Sequence, residues 1–133
     1  MDEAKGPPAG AAGVRASDAK YSAELSSGPE GPLVRFRGTI STPNPGAVLI
    51  PFVDAVHAAL LEGGHASVVV DFQELEFCNS AGFKAFLHWI QRIEGAEAAA
   101  RYRLRFCSSP GRKWQRTSLL ALSCFSPSRV ELQ

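Results

Sequence analysis

The residues best equipped for chemistry lie in one short run, Phe77-Cys78-Asn79-Ser80-Ala81-Gly82-Phe83-Lys84, just past an apolar segment. Ser80 offers a hydroxyl, which can serve as a nucleophile, a phosphate acceptor or a helix cap. Nucleophilic catalysis needs neighbours that the spacing does not supply. Ser80 lacks the Gly-x-Ser-x-Gly elbow that displays a hydrolase serine on a tight turn, and no histidine is placed by motif to take its proton. His57, His65 and His88 form no HxxxH pair, and Cys78, Cys107 and Cys124 show no CxxC or zinc spacing. There is no Walker loop and no paired-carboxylate signature. No catalytic residue, metal or cofactor is expected, and the chain reads as a binding module rather than an enzyme.

Other residues near Ser80 admit two readings each. Cys78 is a redox sensor if the adjacent helix end stabilises its thiolate, and otherwise a small apolar filler. Trp89 is a docking candidate, since tryptophan is enriched at binding hot spots, or it is buried against a neighbouring helix. Glu74 and Glu76 are solvated charges or acidic docking contacts. From Arg101 to Arg129 stand seven basic residues (Arg101, Arg103, Arg105, Arg112, Lys113, Arg116, Arg129) and no acidic one. They form a docking face for an anion or solvated strand and helix positions. Arg112 and Lys113 clamp an anion or stand exposed, Trp114 packs a helix on the sheet, and His57 and His88 face solvent or flank the helices.

These side chains need positioning elements. Tyr21, Ala23 and Leu25 alternate with polar residues, as do Val34, Phe36 and Gly38, so the spacing predicts two strands joined at Gly28-Pro29-Glu30-Gly31-Pro32. Leu49, Val53, Val56 and Leu60 make a helical stripe running to about Glu62, with Pro51 tolerated near its start and Gly63-Gly64 as the stop. Ser67-Val68-Val69-Val70-Asp71-Phe72 is rich in β-branched residues, as in a central strand covered on both faces. A short loop then leads to Ser80 as N-cap of a second helix marked by Phe83, Phe86, Leu87, Ile90 and Ile93. Gly82 in its first turn leaves room for a partner's backbone. Tyr102, Leu104 and Phe106 mark a strand with a basic outer face. A third helix spans about Arg112 to Leu122, and Val130 and Leu132 end the chain in a short strand. The class is α/β, a mixed four- to five-stranded sheet with three helices in the order β-β-α-β-α-β-α-β.

Residues 1–17, rich in Gly, Ala and Pro, read as a flexible tail before a single domain over 18–133. Gly6, Gly10 and Gly13 precede any strand and make no dinucleotide loop. The net charge of +1 supplies no field drawing the chain to nucleic acid or membrane. No secretory leader or membrane-spanning run is expected, and the odd cysteine count fits a reducing, cytoplasmic setting.

The pattern around Ser80 resembles the STAS family, shared by bacterial anti-sigma-factor antagonists and the cytoplasmic ends of sulfate transporters. In that family a hydrophobic strand ending in Asp leads to Asp-Ser-Ser-Gly-Leu at a helix start. The counterpart here is Asn79-Ser80-Ala81-Gly82-Phe83, with Asn79 in place of the acidic residue and Ala81 in place of the second serine. Trp114-Gln115, Ser118-Leu119-Leu120 and Ser126-Pro127-Ser128 look like a branch of STAS-like bacterial regulators of poorly known function, in which an asparagine also precedes the serine. The resemblance runs from about Leu33 to Leu132. It implies that Ser80 is the serine a partner kinase phosphorylates. It also implies that Cys78, Asn79, Ser80, Ala81, Gly82, Phe83, Lys84 and Trp89 contact a serine kinase or anti-sigma-like partner, with a phosphatase resetting the site. A small-molecule or lipid-sensing module on the same fold, or a constitutive scaffold subunit, are the alternatives.

Overall fold

The computed structural model describes residues 13–133. Its elements are β1 (Arg15–Ser17), β2 (Tyr21–Gly28), β3 (Gly31–Ile40), α1 (Gly46–Gly63), β4 (Ser67–Cys78), α2 (Ser80–Glu94), a single 3₁₀ turn (Ala98–Ala100), β5 (Arg103–Cys107), α3 (Lys113–Phe125) and β6 (Val130–Leu132). The six strands lie in sequential order, β1-β2-β3-β4-β5-β6. β1, β2 and β3 pair antiparallel, and β3 to β6 run parallel. The mixed α/β class with three helices holds. The strand count rises to six because Arg15–Ser17, read from sequence as tail, pairs with Ser22, Ala23 and Glu24. Part of the expected tail is therefore strand. The remainder of the expected tail, residues 1–12, lies outside the described residues.

Sequential order decides the layering. Each parallel crossover advances one strand in the same direction, so crossovers of one hand carry all three helices to the same face of the sheet. Val34, Phe36, Val70, Phe72, Leu104 and Phe106 point to that face and are buried. Phe36, Phe72, Phe86 and Phe106 meet there largely edge to face, with ring centroids 5.3–6.4 Å apart, the arrangement the ring quadrupole favours. Among the described residues no helix covers the opposite face. β4 is therefore covered on one side only, not on both as its apolar run predicts. On the open side Arg35 reaches Asp71 (3.1 Å), Arg103 reaches Glu131 (3.1 Å) and Arg105 reaches Glu30 (2.9 Å) and Glu131 (3.5 Å). The pairs made by Arg103 and Arg105 are solvent-facing and contribute little stability, but they leave the basic outer face of β5 with its counter-charges already in place.

Three local features carry the register. Gly38 has φ +91°, and a Cβ there would stand 2.1 Å from the Lys20 carbonyl oxygen, so the β2–β3 pairing at Tyr21 admits only glycine. Gly64 closes α1 in the left-handed conformation, donating to Leu61, while His65 donates to Leu60. Pro51 falls in the second turn of α1 rather than the first, where it cannot donate to the Ala47 carbonyl, and both residues are exposed. By length and apolarity (18 residues, mean hydropathy 1.4) α1 meets the requirement for crossing a membrane, which its sequence was not expected to do. In this fold Leu49, Phe52, Val53, Val56 and Leu60 instead pack against the sheet and α2.

Candidate functional site

β4 does not stop at Phe72. It continues to Cys78, twelve residues in all, and replaces the expected loop. Its register with β3 shifts twice, between Arg35 and Arg37 and between Gly38 and Thr39. At the first shift Asp71 Oδ1 accepts the Gln73 amide (2.8 Å) while Oδ2 holds Arg35. β5 ends opposite Asp71, so the outer edge of β4 beyond that point needs other hydrogen-bond donors. The start of α3 supplies them. Gln115, fully buried, donates its side-chain amide to the carbonyls of Phe72 (2.7 Å) and Leu75 (2.8 Å) and accepts from the Ser109 amide (2.8 Å). Trp114 donates its indole N–H to the Glu76 carbonyl (2.9 Å). Gln115 is the residue sequence reading missed. It entered the sequence reading only as part of the Trp114-Gln115 likeness, with no role assigned to it.

This extension delivers the chain to α2. Asn79, not Ser80, is the N-cap: its Oδ1 accepts the Gly82 amide at 2.7 Å. Its Nδ2 donates to the Thr42 carbonyl (3.0 Å), and its backbone amide donates to Ile40 (2.9 Å). An aspartate could cap but could not donate to Thr42, so the amide stitches the β3–α1 loop to the helix start. Ser80 is thereby displaced to the first helical position, exposed. Among the described residues its hydroxyl has no partner, and the amides of Ser80 and Ala81 have no intramolecular acceptor. Lys84, one turn on, is exposed and has no ion-pair partner among the described residues. Glu74 is taken up by Arg37 at 2.7 Å.

Four residues are decided here. Gly82 is buried, and a Cβ on it would come within 2.7 Å of Cys78 Sγ and 2.8 Å of Ile40 Cγ2. Its missing side chain serves the packing of α2 onto the sheet, not the approach of a partner. Cys78 is itself buried, and burial pushes its thiol up to about 12, which favours the apolar-filler reading over a redox sensor. Trp89 is 0% exposed and belongs to the core rather than to a docking surface. His57, expected to face solvent or flank the helices, is buried, which rules out the solvent-facing reading. A direction read along α2 alone did not separate the flank that meets α1 from the flank that stays open.

The open flank is a groove. Ser80, Phe83 and Leu87 of α2, together with Cys78, face Ser118, Ala121, Leu122 and Phe125 of α3 across a largely apolar space of about 410 Å³. Phe125 is 54% exposed at one end. At the other, Phe77, 46% exposed, lies 6.4 Å from the Trp114 ring, which also meets Phe83 edge-on at 6.4 Å. Of the residues expected to contact a partner, Cys78, Ser80 and Phe83 line this groove, Ala81 and Lys84 lie on α2 outside its lining, and Asn79 is half-buried. The basic cluster is not part of it. Arg101 and Arg129 reach Glu94, and Arg103 and Arg105 pair on the open sheet face. Arg112 begins α3 with its Nε buried and without an acceptor among the described residues. No three His, Cys, Asp or Glu side chains there converge as metal ligands.

No family model matches the sequence, and no curated protein matches it. Solved structures do. An anti-sigma factor antagonist from Mycobacterium paratuberculosis superposes with a TM-score of 0.56 at 15% identity, covering 87% of this chain and 89% of its own. An antisigma-factor antagonist STAS domain from Rhodobacter sphaeroides gives 0.39 at 20% identity, over 68% and 88%. At such identities the likeness speaks for architecture, and the first comparison, with its nearly full coverage, establishes it. The fold of this chain is STAS-like.

Proposed function

We propose that this protein is a non-catalytic interaction module of bacterial signalling, acting in the cytoplasm in the manner of an anti-sigma-factor antagonist. Its partner, a serine kinase or anti-sigma-like protein, docks on the α2 start and the α2–α3 groove. The observation that carries the reading is Ser80: an exposed, unpartnered hydroxyl at the first position of α2, beside an uncovered apolar groove. The kinase transfers the γ-phosphoryl of ATP to Ser80 Oγ, releasing ADP and the hydroxyl proton, and a phosphatase hydrolyses the ester to reset the site.

The helix start suits such a modification. A phosphoserine brings about −1.5 to −2 charges at neutral pH. The free amides of Ser80 and Ala81 lie where that charge forms, and the helix dipole stabilises it by about 0.3–2 kcal/mol. The domain stays folded, while a partner fitted to a neutral surface meets a dianion over an apolar groove. Ser80→Asp is expected to weaken partner binding and Ser80→Ala to keep it. Intact-mass measurement on protein from its own cells should show the added phosphoryl group. Equal binding by both variants sinks the switch.

A second reading rests on the groove alone. Its volume lies within the range of about 300–1,000 Å³ usual for small-molecule sites, which suits an apolar small molecule or lipid without phosphorylation. A retained ligand in the native mass spectrum, with Ser80 unmodified, would favour it. The scaffold alternative has lost its main support, since most of the basic strand's charges are already paired within the chain.

A further inference from the structure

The core contains a polar chain that the docking surface does not use. Trp89 of α2 donates its indole N–H to the Tyr102 hydroxyl at 2.7 Å, and that oxygen lies 2.7 Å from Nδ1 of His57 on α1. Trp89 and Tyr102 are sealed from solvent, and His57 nearly so. An indole nitrogen can only donate, so the phenol accepts from it and has its own hydrogen left to give. His57 Nδ1 is the acceptor in place. The imidazole is thereby held neutral, with its hydrogen on Nε2. The reverse arrangement, Nδ1–H pointing at the phenol, would strand the phenol hydrogen in the core, which buried polar groups rarely tolerate.

We propose that His57, Tyr102 and Trp89 form an acid-sensitive latch that ties α1 to α2 and to the entry of β5, released when His57 takes a proton at Nδ1. An imidazolium has two donors and no acceptor. Its Nδ1–H would face the phenol O–H, and one of the two would lose its partner inside the core.

A route for the proton exists. His57 lines an open cleft of about 370 Å³ between the later turns of α1 and α2, with Ala58, Leu61, Gln91, Arg92, Gly95 and Ala96. The charged and titratable groups facing it are Asp54 from its own helix, Arg92 and His88 from α2, and Tyr102 from the sheet side. Burial is the main cause holding the imidazole below its ordinary 6.5, with Arg92 and His88 adding to it. Asp54 opposes them but is engaged by His88 (2.8 Å) and Arg92 (3.2 Å). Burial also drives the Tyr102 phenol up, so it stays neutral.

The sign follows from proton uptake. Below pH 6.5 the unfolded chain binds a proton at this histidine more readily than the folded one. Stability is intact above 6.5 and is lost as the pH falls from there toward the lower folded value.

Nitrogen-15 NMR of the intact protein tests the latch. At pH 7.5 the His57 ring should report the Nε2–H tautomer. Between pH 7.5 and 5.0 it should titrate below 6.5, and exchange protection of the Trp89 indole hydrogen should fall with it. The Trp114 indole, bonded to Glu76 away from the latch, is the reference that should not respond. His57→Gln retains an acceptor for the phenol, so its urea midpoint should drop less than the wild type's over the same range. An Nδ1–H tautomer at neutral pH, a His57 titration at or above 6.5, or Trp89 protection unchanged through that titration would overturn the proposal. If the variant fails to fold, the wild-type spectra decide alone.

Discussion

The two flanks of α2 have opposite fates. Toward α1 the helix is closed: Ala85 and Trp89 are buried, and His88 and Arg92 reach across to Asp54. Within that contact lies the Trp89–Tyr102–His57 chain, in which the Tyr102 hydroxyl meets both the indole and Nδ1 of His57. Toward α3 the helix is open among the described residues: Phe83 and Leu87 look across a groove to Leu122 and Phe125. Apolar surface gains about 25 cal/mol per Å² on leaving water, so an uncovered groove is stability left unrealised by the fold. The lesson is that one helix can serve as core on one side and as surface for another molecule on the other.

Substitutions can break or sharpen that contrast. The largest effect should come from the closed flank, where Trp89→Ala removes a sealed indole and the donor to Tyr102. A loss of about 3–5 kcal/mol is expected in urea denaturation. Gln115→Leu comes next, at about 3 kcal/mol, because two carbonyls and the Ser109 amide lose their partner at once. Its signature is faster hydrogen exchange across Phe72 to Cys78. Gly82→Ala drives a methyl into Cys78 and Ile40 and should cost about 1–3 kcal/mol. A neutral result there would return Gly82 to the role of admitting a partner. Asn79→Ala removes the cap and should cost about 1 kcal/mol, read as a lower thermal midpoint. Smallest of all is Phe125→Ala on the open flank, within about 0.5 kcal/mol of wild type. A loss as large as that of Trp89→Ala would show that the groove is closed in solution.

Much of the architecture is written in local pattern. The period of two in Tyr21, Ala23 and Leu25 and in Tyr102, Leu104 and Phe106 marks strands that are strands, and Gly64 stops α1 where it stands in the chain. Ser80 at a helix start was legible too, displaced by one position because Asn79 takes the cap. The stretch from Gln73 to Phe77 was not legible. Its polar residues resemble a loop, and it is held as strand by side chains some forty positions away, Gln115 on Phe72 and Leu75 and Trp114 on Glu76. Trp89 was ambiguous for a related reason. Helical periodicity shows which side of α2 is apolar at its centre, but a residue at the edge of the stripe is assigned only by the neighbour that packs there.

By itself the sequence determined most of the alternation of strands and helices, the turns that separate them, and the presence of a serine at the start of α2. These depend on backbone propensity and on contacts only a few residues apart. Tertiary structure alone decided that all three helices share one face of the sheet, that α2 closes against α1 and gapes toward α3, and that His57 lies buried against Tyr102. Those outcomes depend on which distant groups come together, because a buried hydrogen bond or an apolar surface is satisfied by a partner in space, and adjacency along the chain does not name that partner.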